Sequence, residues 1–155
     1  MGEQLQVSVT LVNQKVGFSG VGRDNPAVAI DYKPPLGDGQ GYTSLELLLM
    51  SLASCSASTI VPLLRRMHKD VAGFSVSATG IRRDTHPTCF QTISLAFVLT
   101  SSDASETDLQ KAIALSEETY CPVWAMLKNN VEISTSFQIM TPEGNRADLR
   151  SLAEP

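Results

Sequence analysis

The stretch from Ser44 to Lys69, SLELLLMSLASCSASTIVPLLRRMHK, constrains this chain more than any other. Between Leu45 and Leu64 it carries one acid, Glu46, and no base. A helix that is apolar on nearly every face belongs in an interior, so a buried helix is expected here. Ser51, Ser54, Ser56, Ser58 and Thr59 interrupt the apolar run, so it does not read as a lipid-exposed span, and no membrane is expected as a partner. Ser44 is the expected N-cap, and Glu46 in the first turn suits the positive end of the helix dipole. Arg65, Arg66, His68 and Lys69 gather at the opposite end, where cations are favoured. Pro62 is expected to kink the helix or divide it in two. Cys55 lies mid-helix among Ser and Ala, which reads as a reactive thiol in a mostly apolar pocket.

At 155 residues the chain is long enough to bury a proper core. One domain is expected over residues 1–140, with a polar, frayed tail over 141–155. Hydrophobic residues make up 43% and charged residues 18%, an ordinary globular balance that argues against disorder. The net charge is -4 and no Lys/Arg run occurs, so nucleic acid is not an expected partner. The start, MGEQLQVSVT, lacks a charged region followed by an apolar run, so no signal peptide is expected. Three cysteines (Cys55, Cys89 and Cys121) are too few, and odd in number, for a disulfide scaffold. Together these features point to a reducing, cytoplasmic home. His68 and His86 stand far apart with no zinc-ligand spacing, and neither a metal nor another cofactor is expected.

Leu5 to Val12 alternates, with Leu5, Val7, Val9 and Leu11 on one face of a half-buried strand. Val16–Val21 and Val28–Tyr32 read as further short strands, with Asn13-Gln14 and Arg23–Pro26 as turns. Lys33–Tyr42, with two prolines and three glycines, is a loop: a plain connector, or a lid or pocket wall beside the buried helix. Phe74–Gly80 and Thr92–Leu99 are expected to form long antiparallel strands joined at the turn over 82–87. Asp108–Glu118 reads as an amphipathic helix, and Val131–Ile139 as a last strand. The order implies an α+β fold with mostly antiparallel pairing. One sheet covers only part of such an apolar helix. A second copy of the same helix is the simplest cover for the rest, which implies a homodimer.

Cys55 alone reads first as a small buried hydrophobe. Cys121 changes the balance. In Tyr120-Cys121-Pro122 the proline suits the first turn of a new helix, which puts Cys121 at or next to its N-cap. A thiolate there is favoured by the dipole and by unpaired backbone N–H groups. One thiol in a small-residue pocket and one at a helix start fit a peroxidatic and resolving pair, if the fold brings them together. Cys89, in PTCFQTI, reads as a structural residue near a strand start. Glu46 has two readings: a helix-start acid, or a carboxylate that orients a base or polarises a peroxide. Nine residues separate it from Cys55, about 13 Å along a helix and half a revolution around it. If both act in one site, Glu46 must serve the other subunit's Cys55, or the helix must break. Of the arginines available to hold a thiolate, Arg23 is the only one before the buried helix.

LELLLMSLASCSAST, RRDTHPTCFQTISLAFVLT and AIALSEETYCPVWAMLKNNVEI together resemble the OsmC/Ohr superfamily of thiol peroxidases, over roughly Tyr42 to Ile139. The spacing from Glu46 to Cys55 is similar to that of its OsmC-like branch. The resemblance implies an OsmC-like fold, with antiparallel sheets packed around long central helices in an intertwined homodimer. It implies Cys55 as the peroxidatic nucleophile, Cys121 as its resolving partner and Glu46 as the acid of the cysteine-bearing helix. The implied substrates are organic hydroperoxides, and a small or protein dithiol would reset the site. Family members use an arginine in the N-terminal region to steady the thiolate; here Arg23 stands nearest that role, in turn-like surroundings. The competing expectations are a dimer that binds a small hydrophobic ligand without turnover, and a redox sensor signalling through a Cys55–Cys121 disulfide.

Overall fold

The computed structural model describes residues 2–143, in two compact units that divide between Leu48 and Leu49. Most of the expected tail, from residue 144 on, lies outside the described residues.

The first unit holds β1 (Ser8–Leu11), β2 (Phe18–Val21) and β3 (Val28–Ile30), antiparallel in the order β1-β2-β3. Asn13 makes the first turn: its Oδ1 accepts from the backbone N–H groups of Lys15 and Gly17, both at 2.9 Å. β1 is shorter than its alternation suggests. Its last partner is Ser8↔Val21, and the chain then turns away at Gly22–Asn25, so Leu5 to Val7 have no strand opposite them. Nor is the face half-buried: Leu5, Val7, Val9 and Leu11 are all exposed, Leu5 by 78%.

The loop after β3 is organised by an acid. Asp31 is buried, and its carboxylate accepts from the backbone N–H groups of Tyr32 (2.8 Å), Asp38 and Gln40 (both 3.1 Å). The Gln40 N–H does most to hold this carboxyl below its ordinary range, and burial opposes it. Gly37 must be glycine, because a Cβ there would lie 2.1 Å from Asp31 Oδ1. The segment expected to be a lid or connector is therefore wrapped around Asp31 and tied to its own stem, with Gly39 N–H donating to Tyr32 O.

Helix α1 (Ser44–Arg66) already includes its expected cap residue, Ser44, so the cap lies one residue earlier. Thr43 is the N-cap. Its Oγ1 accepts from Glu46 N–H (3.2 Å), while Glu46 Oε2 accepts from Thr43 N–H (2.7 Å) and Thr43 Oγ1 (2.9 Å). That is a capping box on a T-x-x-E spacing. The helix passes Pro62 undivided, and the hydroxyls of Ser54, Ser58 and Thr59 fold back onto carbonyls one turn earlier. It ends in a Schellman motif. His68, at φ 58°, takes the left-handed position, and Lys69 N–H donates to Leu64 O (3.0 Å). Length and composition alone would let α1 cross a membrane. Its buried face is narrower than expected, a single i, i+4 stripe of Leu52, Ser56, Ile60 and Leu64.

The second unit is built on β5 (Phe90–Thr100), between β4 (Gly73–Arg82) and β6 (Glu132–Met140). Alternation along β5 buries Ile93, Leu95, Phe97 and Leu99. They share the core with the α1 stripe and with Leu109, Ala112 and Ile113 of α2 (Glu106–Leu115). β4 and β5 pair antiparallel from Gly73↔Thr100, as expected. β6 departs from the antiparallel expectation and runs parallel to β5, from Thr92↔Glu132 to Thr100↔Met140. The helices between the two strands return the chain to the end from which β5 started, which is the connection a parallel pair requires. α2 opens on a Ser105/Asp108 capping box, reinforced by Lys69 at 3.2 Å, and these bonds lower the Asp108 carboxyl to about 2. The helix expected to reach Glu118 stops at Leu115 and widens into a π turn, Ser116–Tyr120. α3 (Pro122–Leu127) follows.

Candidate active site

Two cysteines that are 66 residues apart in sequence meet in the second unit: Cys121 Sγ lies 2.7 Å from Cys55 Sγ. Both are thiols. A disulfide bond is about 2.05 Å long, so oxidation needs only a sub-ångström approach.

Each sulfur is placed by its own element. Cys55 sits near the middle of α1, one residue before buried Ser56, and is half-buried. Cys121 is the N-cap of α3, as its place before a proline suggests. Its sulfur accepts from Trp124 N–H at 3.4 Å, and the residue is 2% exposed. The π turn delivers it there, with Cys121 N–H donating to Ser116 O at 2.9 Å across five residues. Such widened turns often mark functional positions.

A second contact joins α1 to the π turn that leads into Cys121. Thr59, one turn after Cys55, brings its Oγ1 to 2.5 Å from Ser116 Oγ. In the sequence Thr59 reads only as a polar break in the apolar run, and Ser116 only as part of the amphipathic helix over 108–118. The available signals were the i, i+4 spacing from Cys55 to Thr59 and a serine five residues before Cys121. Next to this contact is a cleft of about 320 Å³ whose lining includes Ser58, Thr59, Leu63, Arg66 and Tyr120.

Cys55 is the more accessible thiol, but it is not activated by its surroundings. Burial, and then the hydrogen bond with Cys121, push the Cys55 thiol above its ordinary range, and the Val123 backbone N–H opposes the shift. Among the described residues of this unit no guanidinium hydrogen-bonds to either sulfur. Arg82 and Arg83 bond to the carbonyls of Thr88 and Pro87, and Arg65 and Arg66 are exposed. The thiolate is the attacking form, so its fraction below the thiol pKa rises with pH. The rate of first oxidation by a hydroperoxide is expected to climb about tenfold per pH unit and to keep rising past pH 9. A stopped-flow series from pH 6 to 10 checks this, and a plateau reached below pH 7 would contradict it.

Glu46 stays nine residues from Cys55 on an unbroken helix, and its carboxylate is taken up by the Thr43 cap. The Thr43 backbone N–H, followed by the Thr43 hydroxyl, holds that carboxyl below its ordinary range. Arg23 is exposed in the first unit, at φ 56° in the turn after β2. Cys89 is exposed in the segment before β5. Among the described residues no three His, Cys, Asp or Glu side chains converge in a metal-holding group.

Comparison with known proteins shows the family and the fold. Residues 37–136 match the family model described as OsmC-like protein. Protein YhfA of Escherichia coli K12 is 34% identical over 96 residues, which are 62% of this chain and 72% of that protein. The structure of a hypothetical protein from Aquifex aeolicus superposes with a TM-score of 0.80 at 26% identity, over 90% of this chain and 98% of that one. An organic hydroperoxide resistance protein from Legionella pneumophila superposes with a TM-score of 0.67, over 88% of this chain and 97% of that one. At 14% identity this last likeness is one of fold.

Proposed function

Since the chain belongs to the OsmC-like protein family, we propose that it is a cytoplasmic thiol peroxidase that reduces organic hydroperoxides to alcohols through Cys55 and Cys121. The observation that carries this reading is the 2.7 Å contact between the two sulfurs. The Cys55 thiolate attacks the terminal oxygen of ROOH and the O–O bond breaks. RO⁻ leaves and takes a proton, and Cys55 becomes a sulfenic acid. The Cys121 thiol then displaces water from that sulfenic acid and forms a Cys55–Cys121 disulfide. A small or protein dithiol reduces the bridge, itself becoming a disulfide. The half-exposed sulfur suits attack on a substrate, and the buried one suits resolution. The largely apolar run around Cys55 favours organic over hydrogen peroxide.

The same reading includes a homodimer in which α1 and its copy lie centrally, intertwined with sheets from both chains. Its support is uncovered apolar surface: α1 buries one stripe of four residues, and Val7, Val9, Leu11 and Met50 are exposed. Glu46 would then act, if it acts catalytically, on the partner subunit's site. Sedimentation should give twice 16.7 kDa. Turnover of an organic hydroperoxide with a dithiol, measured beside hydrogen peroxide, tests the activity; failure to consume either would reject it. One alternative uses the same sulfur–sulfur contact, a redox sensor oxidised by peroxide without efficient recycling. That alternative predicts a stable disulfide and no sustained turnover.

A further inference from the structure

Thr59 has one hydroxyl proton and two oxygen neighbours. Its Oγ1 lies 2.9 Å from Ser56 O and 2.5 Å from Ser116 Oγ. A carbonyl can only accept, so both bonds are made if Thr59 donates to Ser56 O and Ser116 donates to Thr59. Ser116 is 1% exposed, and its own carbonyl accepts from Cys121 N–H. One residue thus grips α1 with its side chain and the resolving cysteine with its backbone. Thr59 stands one turn from Cys55 on the same side of α1. The contacts close a ring: Cys55, one turn of α1, Thr59, Ser116, the π turn, Cys121 and back across the sulfurs.

We propose that Thr59 and Ser116 are a positioning pair that fixes the approach of Cys121 to Cys55. This rests on the two-cysteine reading of the site. Without the Thr59 hydroxyl, Ser116 is left with a buried unpaired group or must turn to another acceptor. The spacing between α1 and the π turn then loses a constraint, and the local concentration of the Cys121 thiol at Cys55 falls. The dithiol form gains relative to the disulfide, and Cys55 sulfenic acid survives long enough for a second peroxide to oxidise it to sulfinic acid.

The test is a thiol–disulfide equilibrium in glutathione buffer, which needs no peroxidase activity: the protein dithiol and one glutathione disulfide give the protein disulfide and two reduced glutathiones. Thr59→Val keeps the shape and removes the hydroxyl. It should shift the equilibrium toward the dithiol on the order of tenfold and raise the sulfinic acid found at Cys55 after peroxide treatment. Thr59→Ser keeps the hydroxyl and should stay near wild type. Ser116→Ala should match Thr59→Val, and the double variant should be no worse than either single one. A folded Thr59→Val with the wild-type equilibrium constant and sulfinic fraction overturns the proposal. A wild-type protein that forms the bridge in glutathione buffer yet leaves hydroperoxide unreduced sinks the peroxidase reading while leaving the positioning pair testable on the bridge itself. A wild type that forms no bridge overturns both.

Discussion

Cys55→Ser is expected to lower hydroperoxide turnover on the order of 10³-fold or more, to the level of the protein-free reaction. A serine hydroxyl is almost wholly protonated at neutral pH, and among the described residues no base hydrogen-bonds to the sulfur it would replace. The other half of the pair cannot substitute, because Cys121 is 2% exposed at the start of α3. The replacement removes little packing, since Cys55 is half-buried and Ser recurs along this helix at Ser51, Ser54, Ser56 and Ser58. Thermal unfolding should therefore stay close to wild type while activity disappears. Steady-state consumption of an organic hydroperoxide by the variant reads the result. Sustained turnover at the wild-type rate would remove Cys55 from the reaction.

Cys121→Ser separates the two halves of the cycle. Serine is a good N-cap, so the α3 start that Cys121 now caps through Trp124 N–H should survive. Cys55 can still attack, and the variant should release a burst of one alcohol per chain. Its sulfenic acid then has no partner at bonding distance. Turnover should fall by roughly 10²-fold or more, because resolution must then wait for an external thiol instead of a well-placed intramolecular one. The sulfenic acid should accumulate, or advance to sulfinic acid with excess peroxide. Mass spectrometry of the Cys55 peptide distinguishes these products. Unimpaired cycling in this variant would show that resolution comes from an external thiol.

The site was legible where local chemistry decides the geometry. Cys121 before Pro122 reads as a helix cap because proline fits the first turn, and there it is. The long apolar run with basic residues at one end reads as α1, off by one residue at its cap because T-x-x-E and a Ser one place later compete for the role. What stayed hidden depends on contacts distant in sequence. The pairing of β6 with β5 is parallel because of the path between them, which alternation alone does not reveal. The π turn inserts into a pattern whose period still looks helical, so Ser116 reads as one more helix residue. Asp31, in VAIDY, gives no local sign that a Gly/Pro loop will close over its carboxylate. The narrow buried stripe of α1 was hidden for a related reason: composition shows how apolar a helix is, but not which neighbours cover it in one chain.

The most direct measurement is a free-thiol count of the reduced protein before and after one equivalent of an organic hydroperoxide, with peptide mapping of any bridge. Two thiols per chain should be lost, with Cys55 joined to Cys121 and Cys89 left free. An unchanged thiol count, or a bridge that leaves out either Cys55 or Cys121, would contradict the two-cysteine peroxidase.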